Sequence, residues 1–114
     1  MLNLTFDNQF THRLPGDTEA GPRQRQLSHA LFSRVTPKPA ARPRLIHFSR
    51  ETAEMLGLSE AQCHSDKFVQ AFSGSQSLSG MDPHATCYGG HQFGNWAGQL
   101  GDGRAINLGE VNTL

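Results

Sequence analysis

The sequence predicts an α+β fold that consists of an irregular amino-terminal arm, two short helices and a glycine-rich β-hairpin. Three observations lead to this prediction. Prolines and glycines interrupt the first 44 residues, serine-capped segments follow Ser49 and Ser65, and seven of the twelve glycines lie between Gly89 and Gly109. We therefore expect an arm over residues 1–44 and an α+β region over residues 45–114. A chain of 114 residues has room for one small domain at most.

The arm is rich in proline and in positive charge. Each proline fixes φ and removes a backbone donor, so we expect loop structure with one short helix over residues 23–35. From Ala20 to Arg50 the chain has seven Lys or Arg residues and no acid, although its net charge is zero. This basic segment either contacts a nucleotide or an acidic partner, or it folds over the acidic half of the chain. We favour the second interpretation, because no aromatic residues alternate with the charges as they do in binders of single-stranded nucleic acid.

Two helices are predicted in the α+β region, and each begins at a serine N-cap. The first begins at Ser49 and ends at Gly57, where glycine allows a left-handed C-terminal residue. The second follows Ser65, and Ser59 is a further candidate N-cap. An extended segment over residues 84–88 is then expected to lead into the glycine-rich stretch.

The glycine-rich stretch is predicted to form a β-hairpin rather than a flexible linker. Trp96 and Leu100 share one strand, and Ile106 and Leu108 alternate along the next strand. Between the strands, Gly101–Arg104 (GDGR) is predicted to form a tight turn, because Asp-Gly favours type I′ geometry. Trp96 is expected to form the core of this small sheet.

A glycine-rich turn between two strands can bind phosphate groups. Its backbone N–H groups approach phosphate oxygens closely, and the adjacent Arg104 can add charge-assisted hydrogen bonds. The stretch matches neither a Walker A loop nor a dinucleotide fingerprint, because no Gly-Lys-Ser/Thr and no helix signal follow. The order of strand, glycine turn and strand is instead that of the phosphate-covering loop of protein kinases. Spacing alone also allows a purely structural hairpin.

Residues 90–105, GHQFGNWAGQLGDGRA, closely resemble the signature of the SelO (YdiU, UPF0061) family. The similarity extends over nearly the whole chain and includes Phe6–Asn8, Leu14–Asp17, Ser33–Pro37 and Leu56–Leu58. Members of this family are pseudokinase-fold enzymes that transfer AMP from ATP onto hydroxyl groups of protein substrates. Because family members have several hundred residues, the chain resembles an amino-terminal fragment of one.

The resemblance implies a partial kinase-like small lobe, with ATP as the donor, Mg²⁺ or Mn²⁺ as the cofactor and protein Ser, Thr or Tyr hydroxyls as acceptors. Gly101, Gly103 and Arg104 match the nucleotide-contacting turn of the family and are the candidate cofactor-binding residues. The catalytic aspartate and the metal ligands of the family would lie beyond Leu114. We therefore expect no catalytic or metal-binding residue in this chain and no activity from it alone. We also expect a cytoplasmic protein with no nucleic-acid or membrane partner.

Two alternatives stay open at this point. The hairpin could be a structural part of a small, non-catalytic binding module. Alternatively, cysteines and histidines could form a zinc site, or Cys87 could be a nucleophile, although no Cys-x2-Cys pair is present. Lone cysteines beside histidines are more often small buried residues, and two cysteines are too few for a disulfide framework. The residues concerned are Cys63, His64, His84, Cys87 and His91.

Overall fold

The computed structural model describes residues 2–17, 29–100 and 105–113. In these residues it contains four helices and four strands, and the strands form two separate two-stranded antiparallel sheets. The predicted α+β class is therefore confirmed as a mixture of helix and sheet. In chain order the elements are α1 (Gln9–Arg13), β1 (Phe32–Arg34), α2 (Arg50–Met55), α3 (Glu60–Cys63), α4 (Asp66–Phe72), β2 (His84–Thr86), β3 (Tyr88–Gln92) and β4 (Asn95–Leu100).

The chain divides into two compact units, each formed by segments that are distant in sequence. The first, here the helical unit, consists of the described parts of Met1–Asp7, Pro37–Met81 and Glu110–Leu114. The second, here the sheet unit, consists of the described parts of Asn8–Thr36 and Asp82–Gly109. The first 44 residues are not irregular throughout, because α1 and β1 lie among them. The boundary predicted after residue 44 stays a prediction.

The three helices of the helical unit begin at serine N-caps, as the sequence indicates. The hydroxyls of Ser49, Ser59 and Ser65 each accept a hydrogen bond from the backbone N–H three residues later, which satisfies a donor at the helix terminus. At Ser59 a reciprocal bond from its own backbone N–H to the Gln62 side chain completes a capping box. The helices predicted after Ser49 and Ser65 are confirmed, and α3 is an additional helix. No helix among the described residues is long and apolar enough to cross a membrane.

The first of these helices, α2, ends at Met55, and the predicted glycine lies two residues later, directly after the C-cap Leu56. Gly57 has φ +73° and donates its N–H to the carbonyl of Glu54 at 3.0 Å. Leu58 donates to the carbonyl of Ala53 at 2.8 Å, which completes a Schellman motif. Ala53 and Leu58 are both buried, and they pack with fully buried Cys63 in the core of the helical unit. The partly buried residues around this core are Leu2, Leu4, Phe48, Leu56 and Phe68.

The core of the sheet unit lies around β1, which pairs with β2. The register places Phe32 opposite Thr86 and Arg34 opposite His84. The ring of Phe32 is 1% exposed and packs on Gly16, where an added Cβ would lie 2.5 Å from the ring. The prediction of a helix over residues 23–35 is therefore wrong for residues 32–34, which form β1. Tertiary pairing with β2 overrides the weak local helix signal there, and residues 18–28 lie outside the described part of the chain.

The hairpin contains different strands from those predicted. β4 pairs with the preceding strand β3, and the connecting turn is Phe93-Gly94. Both turn residues have positive φ, +51° and +81°, as a two-residue type I′ turn requires. The predicted pairing of Trp96–Leu100 with residues 106–108 is thus replaced by pairing with β3. Residue 107 instead forms an isolated antiparallel bridge with His84 of β2.

Candidate functional site

The three candidate nucleotide-contacting residues, Gly101, Gly103 and Arg104, lie outside the described residues. The structure therefore defines the chain on either side of them. Leu100 is the last residue of β4, and the described chain resumes at Ala105. Residues 101–104 thus follow directly after the last residue of β4 in the sequence.

The chain that follows residues 101–104 is held by backbone hydrogen bonds to His84 of β2 and to Asp82, which precedes this strand. Asn107 donates its N–H to the carbonyl of His84 at 2.8 Å and accepts the N–H of His84 at 2.9 Å. One residue later, the carbonyl of Leu108 accepts the N–H of Asp82 at 3.0 Å. These three bonds fix the chain after residue 104 to β2 and to the residue two positions before it.

His84, which pairs with Asn107, is also part of a buried aromatic cluster. Its side chain is 4% exposed, and its Nδ1 lies 2.9 Å from the backbone carbonyl of Asp82. The His84 ring stacks on Phe10 with centroids 5.5 Å apart and meets the edge of Phe32 at 5.6 Å. A carbonyl can only accept a hydrogen bond, so Nδ1 carries the proton in this arrangement. The sequence did not indicate this packing role, because the three rings come from segments far apart in the chain.

The alternative roles of the cysteines and histidines find little geometric support. Cys63 is fully buried in the helical core, Cys87 is partly buried, and neither is part of a disulfide. Within residues 2–17, 29–100 and 105–113, no group of three or more His, Cys, Asp or Glu side chains could hold a metal ion. The side chain of His91 is outside what the structure describes. Cys63 has the packing role of a small apolar residue.

A bidentate ion pair flanks the aromatic cluster. Arg34 Nε donates to Asp82 Oδ1 at 2.9 Å, and Nη2 donates to Oδ2 at 3.2 Å. The guanidinium also lies 5.2 Å from the centroid of the Phe32 ring. Arg50 of the basic segment similarly pairs with Glu60 at 3.3 Å. For Arg34 and Arg50, the interpretation that the basic segment contacts the acidic half of the chain is therefore confirmed.

The Arg34–Asp82 pair predicts a dependence of stability on pH. The hydrogen bond from Arg34 lowers the pKa of Asp82 below its ordinary value of 3.8. The stabilisation is therefore fully present above pH 3.8 and is lost as pH falls through the lower pKa of the folded state. Because Arg34 is half exposed, we expect Asp82→Asn to lower the free energy of unfolding at pH 7 by only about 1 kcal/mol.

Urea titration of the chain between pH 7 and pH 2 measures this dependence. The difference between the wild type and Asp82→Asn should shrink toward zero at the acidic end. Glu54→Gln, which removes one exposed carboxylate from α2, serves as the control for the loss of a negative charge. A difference at Asp82 that stays constant down to pH 2 would contradict the assignment of the stabilisation to the charged pair.

The aromatic residues of the hairpin are exposed. Trp96 is 63% exposed, and its indole ring covers Gly89 of the opposite strand so closely that a Cβ there would lie 2.8 Å from it. The expectation that Trp96 forms the core of the sheet is therefore wrong. Phe93 at the turn is fully exposed. Gly89 provides space for the indole ring of Trp96, which lies on the opposite strand.

Comparison with known proteins gives a consistent result over almost the whole chain. Residues 17–114 match the family model described as protein adenylyltransferase SelO. The chain is 56% identical over 111 residues to a protein nucleotidyltransferase YdiU of Azoarcus sp. (strain BH72), which covers 97% of this chain and 21% of that protein. It is 54% identical over 113 residues to the protein of the same name from Aromatoleum aromaticum, covering 99% and 22% respectively. For the Rhodopirellula baltica protein the identity is 55% over 112 residues, covering 98% and 21%.

The chain thus spans about a fifth of the length of these curated relatives. The matched family region includes the whole glycine-rich stretch and all three candidate site residues.

Proposed function

Because the chain belongs to the protein adenylyltransferase SelO family and corresponds to its amino-terminal part, we propose that it supplies the nucleotide-binding turn of an AMP-transferring enzyme. The family is one of protein nucleotidyltransferases. The proposed reaction transfers AMP from ATP to Ser, Thr or Tyr hydroxyls of other proteins. The observation that carries this proposal is the family match over residues 17–114, which includes GDGR.

The proposed role of the turn is to bind the phosphates of ATP. Gly101 and Gly103 would allow backbone N–H groups to approach phosphate oxygens, because no side chain blocks them. Arg104 would donate charge-assisted hydrogen bonds to the same oxygens. The proposal is supported by the fixed chain on both sides of the turn, β4 before it and the Asn107–His84 bridge after it. In this arrangement the hairpin belongs to a partial kinase-like small lobe.

In the proposed reaction, the oxygen of a protein hydroxyl attacks the α-phosphorus of ATP. The bond from the α-phosphorus to the oxygen that bridges to the β-phosphate breaks, and the products are a protein phosphodiester and pyrophosphate. The residues of this chain contribute by orienting the phosphates, which raises the probability of in-line attack. The hydroxyl proton is removed by a residue outside this chain, since we place the catalytic aspartate beyond Leu114.

The metal chemistry of the proposed enzyme also lies outside this chain. Bound Mg²⁺ or Mn²⁺ would neutralise phosphate charge during transfer. The part of the chain that the structure describes offers no cluster of His, Cys, Asp and Glu with the composition of a metal site. From the resemblance to the family, we place the Asn and Asp ligands beyond Leu114, and we propose that the 114-residue chain alone transfers no AMP. A cytoplasmic location is part of the same proposal.

Replacement of Arg104 by alanine in the full-length protein tests the binding role of the turn. We expect the affinity for ATP to fall about tenfold or more, because a hydrogen bond to a charged group contributes about 1.5–3 kcal/mol. ATP titration by calorimetry gives the dissociation constant, and transfer of labelled AMP to protein gives the activity. Arg13→Ala is the matched control, because Arg13 is an exposed arginine at the end of α1.

Two outcomes are informative in this experiment. Weaker ATP binding in Arg104→Ala with unchanged binding in Arg13→Ala supports a phosphate contact at the turn. Unchanged affinity and unchanged transfer in Arg104→Ala would mean that the hairpin is only structural and that ATP binds elsewhere.

A further inference from the structure

The helical unit has an apolar groove that the proposed function does not use. The groove has a volume of about 480 Å³ and is formed by the segment 44–49, by α2 with the residues that follow it, and by α4 with Ser73. Its apolar lining includes Leu45, Ile46, Leu56, Phe68, Val69 and Phe72. On α4, the rings of Phe68 and Phe72 stack with centroids 4.5 Å apart.

Two of the apolar residues along this groove are exposed to solvent. Ile46 is 91% exposed and Phe72 is 43% exposed. Exposed apolar residues that lie together along a concave surface are typical of an interaction site. The groove is therefore a candidate interaction surface that includes Ile46 and Phe72.

The polar groups of the groove do not favour a small-molecule ligand. Sites for small molecules place a few polar groups so that they converge on the ligand. Here the Ser49 hydroxyl accepts the N–H of Thr52 as an N-cap. The Ser73 hydroxyl donates to the carbonyl of Gln70 and lies 2.9 Å from the Ser75 hydroxyl. Both serine hydroxyls are thus engaged within the unit, and the surface is suited to packing with apolar side chains.

The charged residues that line the groove indicate which side chains its occupant has. The residues that line it, all of them described, include Arg44 and His47 and no Asp or Glu. Arg42 lies next to the same segment in sequence, whereas Arg50 is already paired with Glu60. An occupant that pairs with this end of the groove therefore has an acidic side chain beside its apolar residues.

We propose that this groove is covered by a segment of the same polypeptide that lies beyond Leu114 and carries apolar residues with an acidic residue facing Arg44. About four-fifths of the length of the curated relatives lies outside the match to this chain. A segment attached to the same polypeptide has an effective concentration in the millimolar range when its linker can span the sites, so it occupies the groove ahead of separate molecules. The groove is then an internal interface that fixes the amino-terminal part to the rest of the protein.

Cysteine accessibility in the full-length protein tests this proposal. The variant Ile46→Cys places a thiol in the groove, and Lys67→Cys places one at an exposed position of α4 that does not line the groove. We expect a maleimide to modify position 46 at least about tenfold more slowly than position 67 in the native protein, because modification requires local opening. Both positions should react equally in denaturant. Mass spectrometry of the modified peptides separates these sites from Cys63 and Cys87.

The identity of the occupant requires a second measurement. A photoreactive amino acid at position 46 should form a cross-link to a peptide of the same chain beyond Leu114, independent of protein concentration. Arg44→Glu should increase the modification rate at Ile46→Cys, whereas Arg13→Glu in the sheet unit should not. Equal modification of positions 46 and 67 in the native protein would overturn the proposal, as would cross-links only to another copy or to a different protein. Neither measurement reads AMP transfer, so the result is separate from the test of Arg104.

Discussion

Replacement of Gly103 by valine in the full-length protein is expected to abolish AMP transfer while leaving the fold intact. If the backbone N–H groups of the turn contact phosphates, a branched side chain at this position keeps the nucleotide away from them. A displacement of about 1 Å can lower the rate about 100-fold, so we expect at least this loss. Transfer of labelled AMP to protein measures the effect, and circular dichroism measures the fold.

Ala105→Val is the matched control for Gly103→Val. It adds a branched side chain two residues later, at an exposed position within the described chain. We expect this control to keep most of the activity. Full transfer by Gly103→Val would show that no close approach to the phosphates occurs at this residue, and equal loss in both variants would indicate a general effect of bulk near the turn.

The largest effect on stability is expected at Phe32. Its ring contacts Gly16, Phe10 and His84 and is 1% exposed, so Phe32→Ala leaves a cavity at the centre of the sheet unit. We expect the free energy of unfolding to fall by about 3–5 kcal/mol, the usual range for a buried phenylalanine. Urea denaturation of the chain gives the value.

Phe93→Ala is the control for Phe32→Ala, because it is the same substitution at a fully exposed turn residue. We expect it to change the free energy of unfolding by no more than about 0.5 kcal/mol. Similar losses in the two variants would contradict the assignment of Phe32 to the core. The comparison also separates the loss of buried contacts from the general effect of removing an aromatic ring.

The helices of the helical unit could be predicted because their signals are local. Each N-cap serine binds a backbone N–H three residues later, and Gly57 ends α2 within the same short segment. The Arg34–Asp82 pair, in contrast, joins residues 48 positions apart. Nothing in the sequence around either residue indicates the other. The aromatic cluster of the sheet unit was missed for the same reason.

The hairpin shows how a strong local signal can give a wrong pairing. Asp102-Gly103 is a preferred turn sequence, so local rules predict pairing of the strands on either side of it. The described turn is instead Phe93-Gly94, in which a phenylalanine has φ +51°. Phenylalanine rarely has positive φ, and no propensity rule indicates it there. The candidate site residues came from the family signature, because local rules predict a turn but not what it binds.

The backbone pairing of Asn107 with His84 limits how far Arg104 can lie from β2. An extended residue spans at most about 3.6 Å, so the Cα of Arg104, three residues earlier, lies within about 11 Å of the Cα of Asn107. Each residue inserted between these two positions would increase this maximum distance by up to about 3.6 Å. An insertion at Phe93-Gly94 would leave it unchanged. In the proposed complex, the phosphate group that Arg104 binds therefore lies within this distance of Asn107 plus the length of the arginine side chain.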